Sequence, residues 1–323
     1  MTSIIANLEA ALSASPSSSI EVSITSEMLV QLARALRLRL YLTQITESGL
    51  TQVQNCAGNY IPSQSEGKLG KSIRPCHSKH ACLLCTPQEF AREESNIASL
   101  LKTWSQEGLL VLLTLNLPFT AGMDLGARYS SLKRCWDGLM SDSRLQNLRA
   151  RNGIKYVRVL EERLIDGNWF PHFHVAILIQ GVEPTQQNFQ DFSAPLRLLW
   201  ADKARKVGMP STLSSVQDAQ LFRHGTHYKL AHYLTENGRV GLHLDMDLCD
   251  LQKGSFTPFE IFQIFVATGD ADAKSHWEEF EFFSSGRHRF TYSVKAREDL
   301  HLLKLQRSLH RQKNASRRPL SSK

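Results

Sequence analysis

The chain has 323 residues, 42% of them apolar, which is enough for a packed core and too much for a disordered chain. The net charge of +7 favours a polyanionic partner without requiring one, because many ordinary basic proteins carry as much. No run approaches the ~18 apolar residues of a membrane span and the N-terminus lacks the basic start of a secretory signal, so the expectation is a cytoplasmic protein, with no membrane partner, whose six cysteines are reduced or metal-bound.

Residues 1–20 are Ser-rich and read as loose. From Ser26, "SEMLVQLARALRLRLYLTQ" has helical spacing behind a Ser cap with Glu27 just inside. Residues 50–90 hold four of the six cysteines with much Gly, Ser and Lys. That segment is irregular and needs a staple. "EFAREESNIASLLKTW" reads as a helix, and "GLLVLLTLNLPF" as a central strand ending at Pro118. "ARYSSLKRCWDGLMSDSRL" reads as one helix. "IKYVRVLEERLIDGNWFPHFHVAILIQG" is two strands about a tight turn at Asp166-Gly167-Asn168.

"TQQNFQDFSAPLRLLWADKARKVG" is mostly helix, closed by Gly208, and "SSVQDAQLF" a short strand. "THYKLAHYLTENG" is a short helix stopped by Asn237-Gly238. Two helices follow in "SFTPFEIFQIFVATGDADAKSHWEEFEFF", then a strand in "RHRFTYSVK", and from Leu302 a tail that begins helical and ends basic and Ser-rich. The mixture, with a hairpin at its centre, predicts an α+β fold on an antiparallel sheet.

Residues two apart on a strand share a face, so His172 and His174 present two imidazoles together, a spacing that suits a divalent metal. Taken alone, His-x-His reads as two half-exposed histidines at a strand end. The hairpin alters that reading. With Gly167-Asn168 as the turn, Glu161 faces His174; with Asp166-Gly167 it faces His172. Both registers set Glu161 on the histidine face and turn Glu162 the other way. Two imidazoles and a carboxylate leave open positions that take Mg²⁺ or Mn²⁺. The plainer role for Glu161 is an ion pair with Arg163 or Arg158. On the helix around Tyr233, Lys229 shares its face one turn back, while Tyr228 lies about 140° around.

"CHSKHACLLC" supplies Cys76, Cys82 and Cys85, with Cys56 upstream. Cys82-x-x-Cys85 is the usual half of a zinc knuckle, and with Cys56 and Cys76 it makes a closed structural Zn²⁺ site; His77 or His80 could replace either distant cysteine. Four free cysteines in a loop is the alternative. Zinc is preferred because a loop so poor in apolar residues needs a staple. Cys135 and Cys249 read as small packing residues. Lys304, Arg307 and Arg311 belong to a cationic tail that could grip phosphates.

His172-Phe173-His174 on a strand, "LTLN" on an upstream strand and "AHYLTE" on a downstream helix resemble the rolling-circle plasmid replication initiators of the HUH endonuclease superfamily. "FTPFEIF", "HWEEFEFF" and "FTYSVKARE" extend the likeness, which covers residues 56–297. The resemblance implies a central sheet of the HUH (ferredoxin-like, RRM-like) type. It divides the chain into an N-terminal helical segment (1–50), a Cys-rich zinc segment (51–90), a nicking domain (91–245), a helical and strand extension (246–300) and a basic tail (301–323).

The activity implied is metal-dependent nicking of one strand at plasmid origin DNA, single-stranded or extruded as a hairpin, through a 5′-phosphotyrosyl link. The freed 3′-hydroxyl would prime synthesis by host helicase and polymerase. His172, His174 and Glu161 would hold the metal and Tyr233 would be the nucleophile. Relatives commonly carry lysines where this chain has His232 and Glu236; Lys229 would supply that cation. The rival readings are an HUH transposase or relaxase, and a non-catalytic zinc-containing DNA-binding repressor.

Overall fold

The computed structural model describes residues 85–120, 122–209, 218–222, 225–236 and 254–316. The predicted helix from Ser26, three of the four zinc-site cysteines (Cys56, Cys76, Cys82) and the Asn237-Gly238 stop lie outside those residues, as does the side chain of Cys85.

The elements run in the order α1 (Cys85–Trp104), β1 (Gly108–Leu115), α2 (Leu125–Met140), α3 (Ser143–Asn152), β2 (Ile154–Ile165), β3 (Asn168–Gln180), α4 (Gln186–Lys206), β4 (Asp218–Leu221), α5 (His227–Glu236), β5 (Ser255–Phe256), α6 (Pro258–Thr268), α7 (Ala271–Ser284), β6 (Phe290–Tyr292) and α8 (Val294–Ser316). The fold is α+β, as the patterning predicts. Every strand pairing is antiparallel. The strand order is β4-β1-β3-β2-β5, and β6 also pairs with β2.

Helices cover both faces of this sheet. Val111, Leu113, Phe173, Val175, Ile177 and Ile179 face one way, into a core completed by α2, α4, α6 and α7. Leu110, Leu112, Val157, Val159, Ala176 and Leu178 face the other way, under α1, α5 and α8. The strict alternation follows from the two-residue period of the strand. Among the described residues no helix is long and apolar enough to cross a membrane.

The β2–β3 turn takes the second of the two expected registers: Ile165 pairs with Asn168, and Asp166-Gly167 make the bend. Both bend residues are left-handed, with φ of 50° and 71°. That is the geometry of a type I′ turn, whose twist matches its strands, and Asp-Gly is a preferred pair for it.

Two element boundaries differ from the sequence reading. The helix expected across residues 127–145 is two helices, because Asp142 adopts an extended conformation and its side chain accepts a hydrogen bond from Arg144 N, capping α3. A short acid that can cap competes with helix continuation. The strand expected in "RHRFTYSVK" is limited to Phe290–Tyr292. At Ser293 the side chain accepts from Ala296 N and starts α8, so the tail is helical from Val294 rather than from Leu302.

The outer edge of β2 is closed by two segments. β6 pairs with residues 157–159 and β5 with residues 164–165. Between them Arg289 donates through Nε to Leu160 O at 3.0 Å and ion-pairs with Glu162, both side chains being buried. An edge so covered offers no free ladder to another chain.

Candidate metal centre

In the β2–β3 ladder Glu161 stands opposite His172, and Val159 opposite His174. On the other side of β3, Thr114 of β1 stands opposite His174, and Asp218 of β4 opposite Thr114. Glu161, His172, His174 and Thr114 therefore share the sheet face that lies under α1 and α5. Glu162 points to the opposite face, as alternation requires. So does Arg158, whose guanidinium lies over Phe173 at 4.2 Å; this excludes it as a partner of Glu161.

Three donor atoms converge. His174 Nε2 lies 2.7 Å from Glu161 Oε2, His172 Nε2 lies 3.1 Å from the same oxygen, and the two Nε2 atoms are 3.2 Å apart. Donors at right angles around an ion with ~2.1 Å bonds stand ~3 Å apart, so the cluster has the dimensions of one face of a coordination shell. The other nitrogen of each ring is anchored. His172 Nδ1 donates to Phe170 O at 3.2 Å, and His174 Nδ1 lies 3.1 Å from Thr114 Oγ1. Metal-ligating histidines are ordinarily fixed in this way, which turns the free nitrogen to the ion. The second oxygen of Glu161 accepts from Arg163 Nε at 2.8 Å, so the ion pair with Arg163 coexists with the cluster. These three residues could hold a metal ion.

Charges are strongly coupled at this point. Burial alone would raise the Glu161 carboxyl, but the hydrogen bonds and charges of His172 and His174 outweigh it and hold the group well below the carboxylate range. Burial would lower His172; its hydrogen bond to Glu161 and the carboxylate charge prevail and raise it. His174, at 3% exposure, is lowered chiefly by burial, with the His172 charge acting in the same sense.

Helix α5 sits on this face through Leu230, Ala231 and Leu234. That seating brings the Tyr233 ring edge-on to His174, with centroids 5.1 Å apart, while the residue stays 41% exposed. Burial, then the charges of Glu161 and Asp218, raise its pKa above the ordinary phenol value, with Thr114 acting in the opposite sense. Tyr228 faces away, 67% exposed, with its ring on His227.

The expected site residues divide accordingly. His172, His174, Glu161 and Tyr233 come together. Lys229 is exposed one turn before Tyr233. His232 turns toward Glu94 of α1, at 3.4 Å. Of the basic residues, Lys304 and Arg307 are exposed on α8, where Arg307 donates to Ser99; the side chain of Arg311 lies outside the described residues. Thr114 was not anticipated. Its signal is a single polar residue inside the apolar run of β1, at an even position that alternation sets on the histidine face.

Comparison of the chain with protein-family models, with curated proteins and with solved structures finds no match in any of the three.

Proposed function

We propose that the chain is a metal-dependent, strand-specific DNA nicking and rejoining enzyme of the HUH type that initiates rolling-circle replication of a plasmid. The observation that carries this reading is the seating of Tyr233 against His174, beside a cluster of two imidazoles and one carboxylate. A tyrosine hydroxyl is a weak nucleophile at neutral pH, and its place next to a set of metal donors is what phosphodiester transfer to tyrosine requires. The strand order β4-β1-β3-β2, with helices connecting β1 to β2 and β3 to β4, is the split βαβ arrangement expected of that type.

In this reading His172, His174 and Glu161 would hold a Mg²⁺ or Mn²⁺ ion, which would supply polarisation of a phosphoryl oxygen of the strand. Tyr233 Oη attacks phosphorus and loses its proton. The Oη–P bond forms as the bond from phosphorus to the 3′-oxygen breaks, and that oxygen leaves as the 3′-hydroxyl, taking from water one proton for the one Tyr233 gives up to it. Thr114 orients the attacking hydroxyl. Lys229, on the same helix face, offsets negative charge on the reacting oxygens. Reversal of the same steps rejoins the strand.

The remaining parts of the proposal are a structural Zn²⁺ at Cys56, Cys76, Cys82 and Cys85, contacts of Lys304, Arg307 and Arg311 with origin DNA, and host helicase and polymerase as partners in the cytoplasm. Incubation with Mn²⁺ and a pool of labelled single-stranded oligonucleotides, followed by a denaturing gel, tests the central claim. A covalent adduct formed by the wild type and missing from Tyr233→Phe supports it. Strand binding with no adduct from the wild type would leave a non-catalytic DNA-binding protein.

A further inference from the structure

Beside the triad stands an exposed aromatic ring that the proposed chemistry does not use. Phe119, in the segment that leaves β1, is 45% exposed. Its ring stacks on Phe170, with centroids 5.7 Å apart and planes at 26°. The Arg128 guanidinium lies 4.7 Å from the Phe119 centroid and 5.3 Å from that of Phe170. Arg128 is itself 6% exposed and donates to Thr120 O at 2.6 Å and to Met123 O at 3.2 Å. The backbone just after Phe119 is thereby pinned, and the ring is held in place while close to half of the residue stays exposed.

The location gives the ring a meaning. Phe170 precedes His172 by two residues on β3, a distance of ~6.7 Å along a strand, and its carbonyl oxygen accepts the His172 Nδ1 hydrogen. Phe119 thus stacks on Phe170, the Phe170 carbonyl anchors His172, and the His172, His174 and Tyr233 rings follow in edge contact. A nucleotide whose phosphate reaches the triad has its neighbour's base about one step away, at Phe119. A duplex keeps its bases stacked on one another and has no face to offer. An unpaired strand does, and any base can stack on a phenyl ring.

We infer that Phe119 is a stacking platform for an unpaired base of single-stranded DNA, next to the phosphate that enters the triad; this inference rests on the nicking function proposed above. The Phe170 ring and the Arg128 guanidinium back the platform and set its orientation.

The test compares binding of fluorescein-labelled oligothymidylate of about 20 nucleotides with binding of an abasic strand of equal length, by anisotropy. Stacking predicts that the wild type prefers the thymidylate by about 5- to 150-fold for one stacked base. Phe119→Ala should lose most of that preference by weakening thymidylate binding alone, and Phe119→Trp should keep it. A preference that survives Phe119→Ala unchanged, or a wild type that does not distinguish the two strands, overturns the inference. Adduct formation is read separately. A preserved, Phe119-dependent preference with no wild-type adduct would sink the nicking reaction and keep the platform. An adduct without that dependence would sink the platform alone.

Discussion

Glu161 and Glu162 are adjacent carboxylates on opposite faces of one strand, and their amides should separate metal binding from stability. Mn²⁺ is the suitable probe, because imidazole and carboxylate accept it while the thiolates of a zinc segment favour softer ions. At ~100 times its Kd, an ion that binds only the native state stabilises it by ~2.7 kcal/mol. With ~2–4 °C of midpoint per kcal/mol, the wild type should gain ~5–10 °C.

Glu161→Gln keeps the side-chain volume and removes the charge that faces both imidazoles at 2.7 and 3.1 Å. Loss of partners one shell further out already costs ~10–100-fold in metal affinity, so loss of this ligand should cost at least ~100-fold and leave a shift of ~1–2 °C. Glu162→Gln acts elsewhere. It strands the buried Arg289 without its counter-charge, which costs ~3–5 kcal/mol, but leaves the donors untouched. Its metal-free midpoint should fall while its Mn²⁺ shift stays at the wild-type value. Circular dichroism melts with and without Mn²⁺ decide the matter. A full shift in Glu161→Gln, or a lost shift in Glu162→Gln, would refute the assignment of the donors.

Mass spectrometry of the nuclease-trimmed adduct should locate the nucleotide on Tyr233, and Tyr228→Phe should still form it; a nucleotide on Tyr228 would overturn the choice of nucleophile. Metal analysis of protein purified under reducing conditions should find about one Zn²⁺ per chain, and Cys82→Ser should impair folding; zinc-free folded protein would dismiss that site. Cys135 is fully buried and its thiol is pushed up to about 11 by burial, so it should resist alkylation in the native protein and react only on unfolding. Native labelling of Cys135 on the same timescale as an exposed thiol would contradict that packing.

Asp142 is held below the usual carboxylate range by its hydrogen bonds to Arg144 and Lys203. A depressed native pKa stabilises the fold fully above the unfolded value of ~3.9 and progressively less as pH falls from there toward the native value. The stability advantage of the wild type over Asp142→Asn should thus be constant near neutrality and shrink below about pH 4. A gap that persists unchanged in acid would show that capping geometry, and not charge, carries the effect.

The parts of this site that can be read from sequence are those governed by the two-residue period of a strand. That period puts His172, His174 and Glu161 on one face and Glu162 on the other, whichever register the hairpin takes. The register itself depends on which two residues bend, and both Asp-Gly and Gly-Asn are sound turn pairs. The break between α2 and α3 was hidden because helical spacing continues through Asp142, and only its cap interrupts it. The short β6 and early α8 have the same cause, a polar side chain at Ser293 that accepts from the helix amide of Ala296. Contact between Tyr233 and His174 is of another kind. Helix periodicity gives the face on which Tyr233 lies but not the strand residue it meets, since that depends on how α5 seats on Leu230, Ala231 and Leu234.

The Glu161-Glu162 pair also explains why the donors are held so closely. Precise ligand placement requires rigid backbone on both sides of the ligand-bearing strands. On one side β3 is paired with β2 over residues 168–179 and with β1 over residues 173–180. On the other, β2 would be an open edge where it carries Glu161. Glu162, turned to the far face by the same alternation, ties down Arg289, and Arg289 O accepts from Leu160 N at 2.8 Å immediately beside the ligand. Arg289 leads directly into β6, and Ser293 N bonds to Tyr156 O at 3.0 Å as α8 begins. One carboxylate thus faces the two imidazoles while its neighbour fastens the segment that covers the edge of the strand. Arg289→Ala should therefore behave as Glu162→Gln does in the same melts, with a lower metal-free midpoint and a full Mn²⁺ shift, because the backbone bonds of this segment to Leu160 and Tyr156 remain.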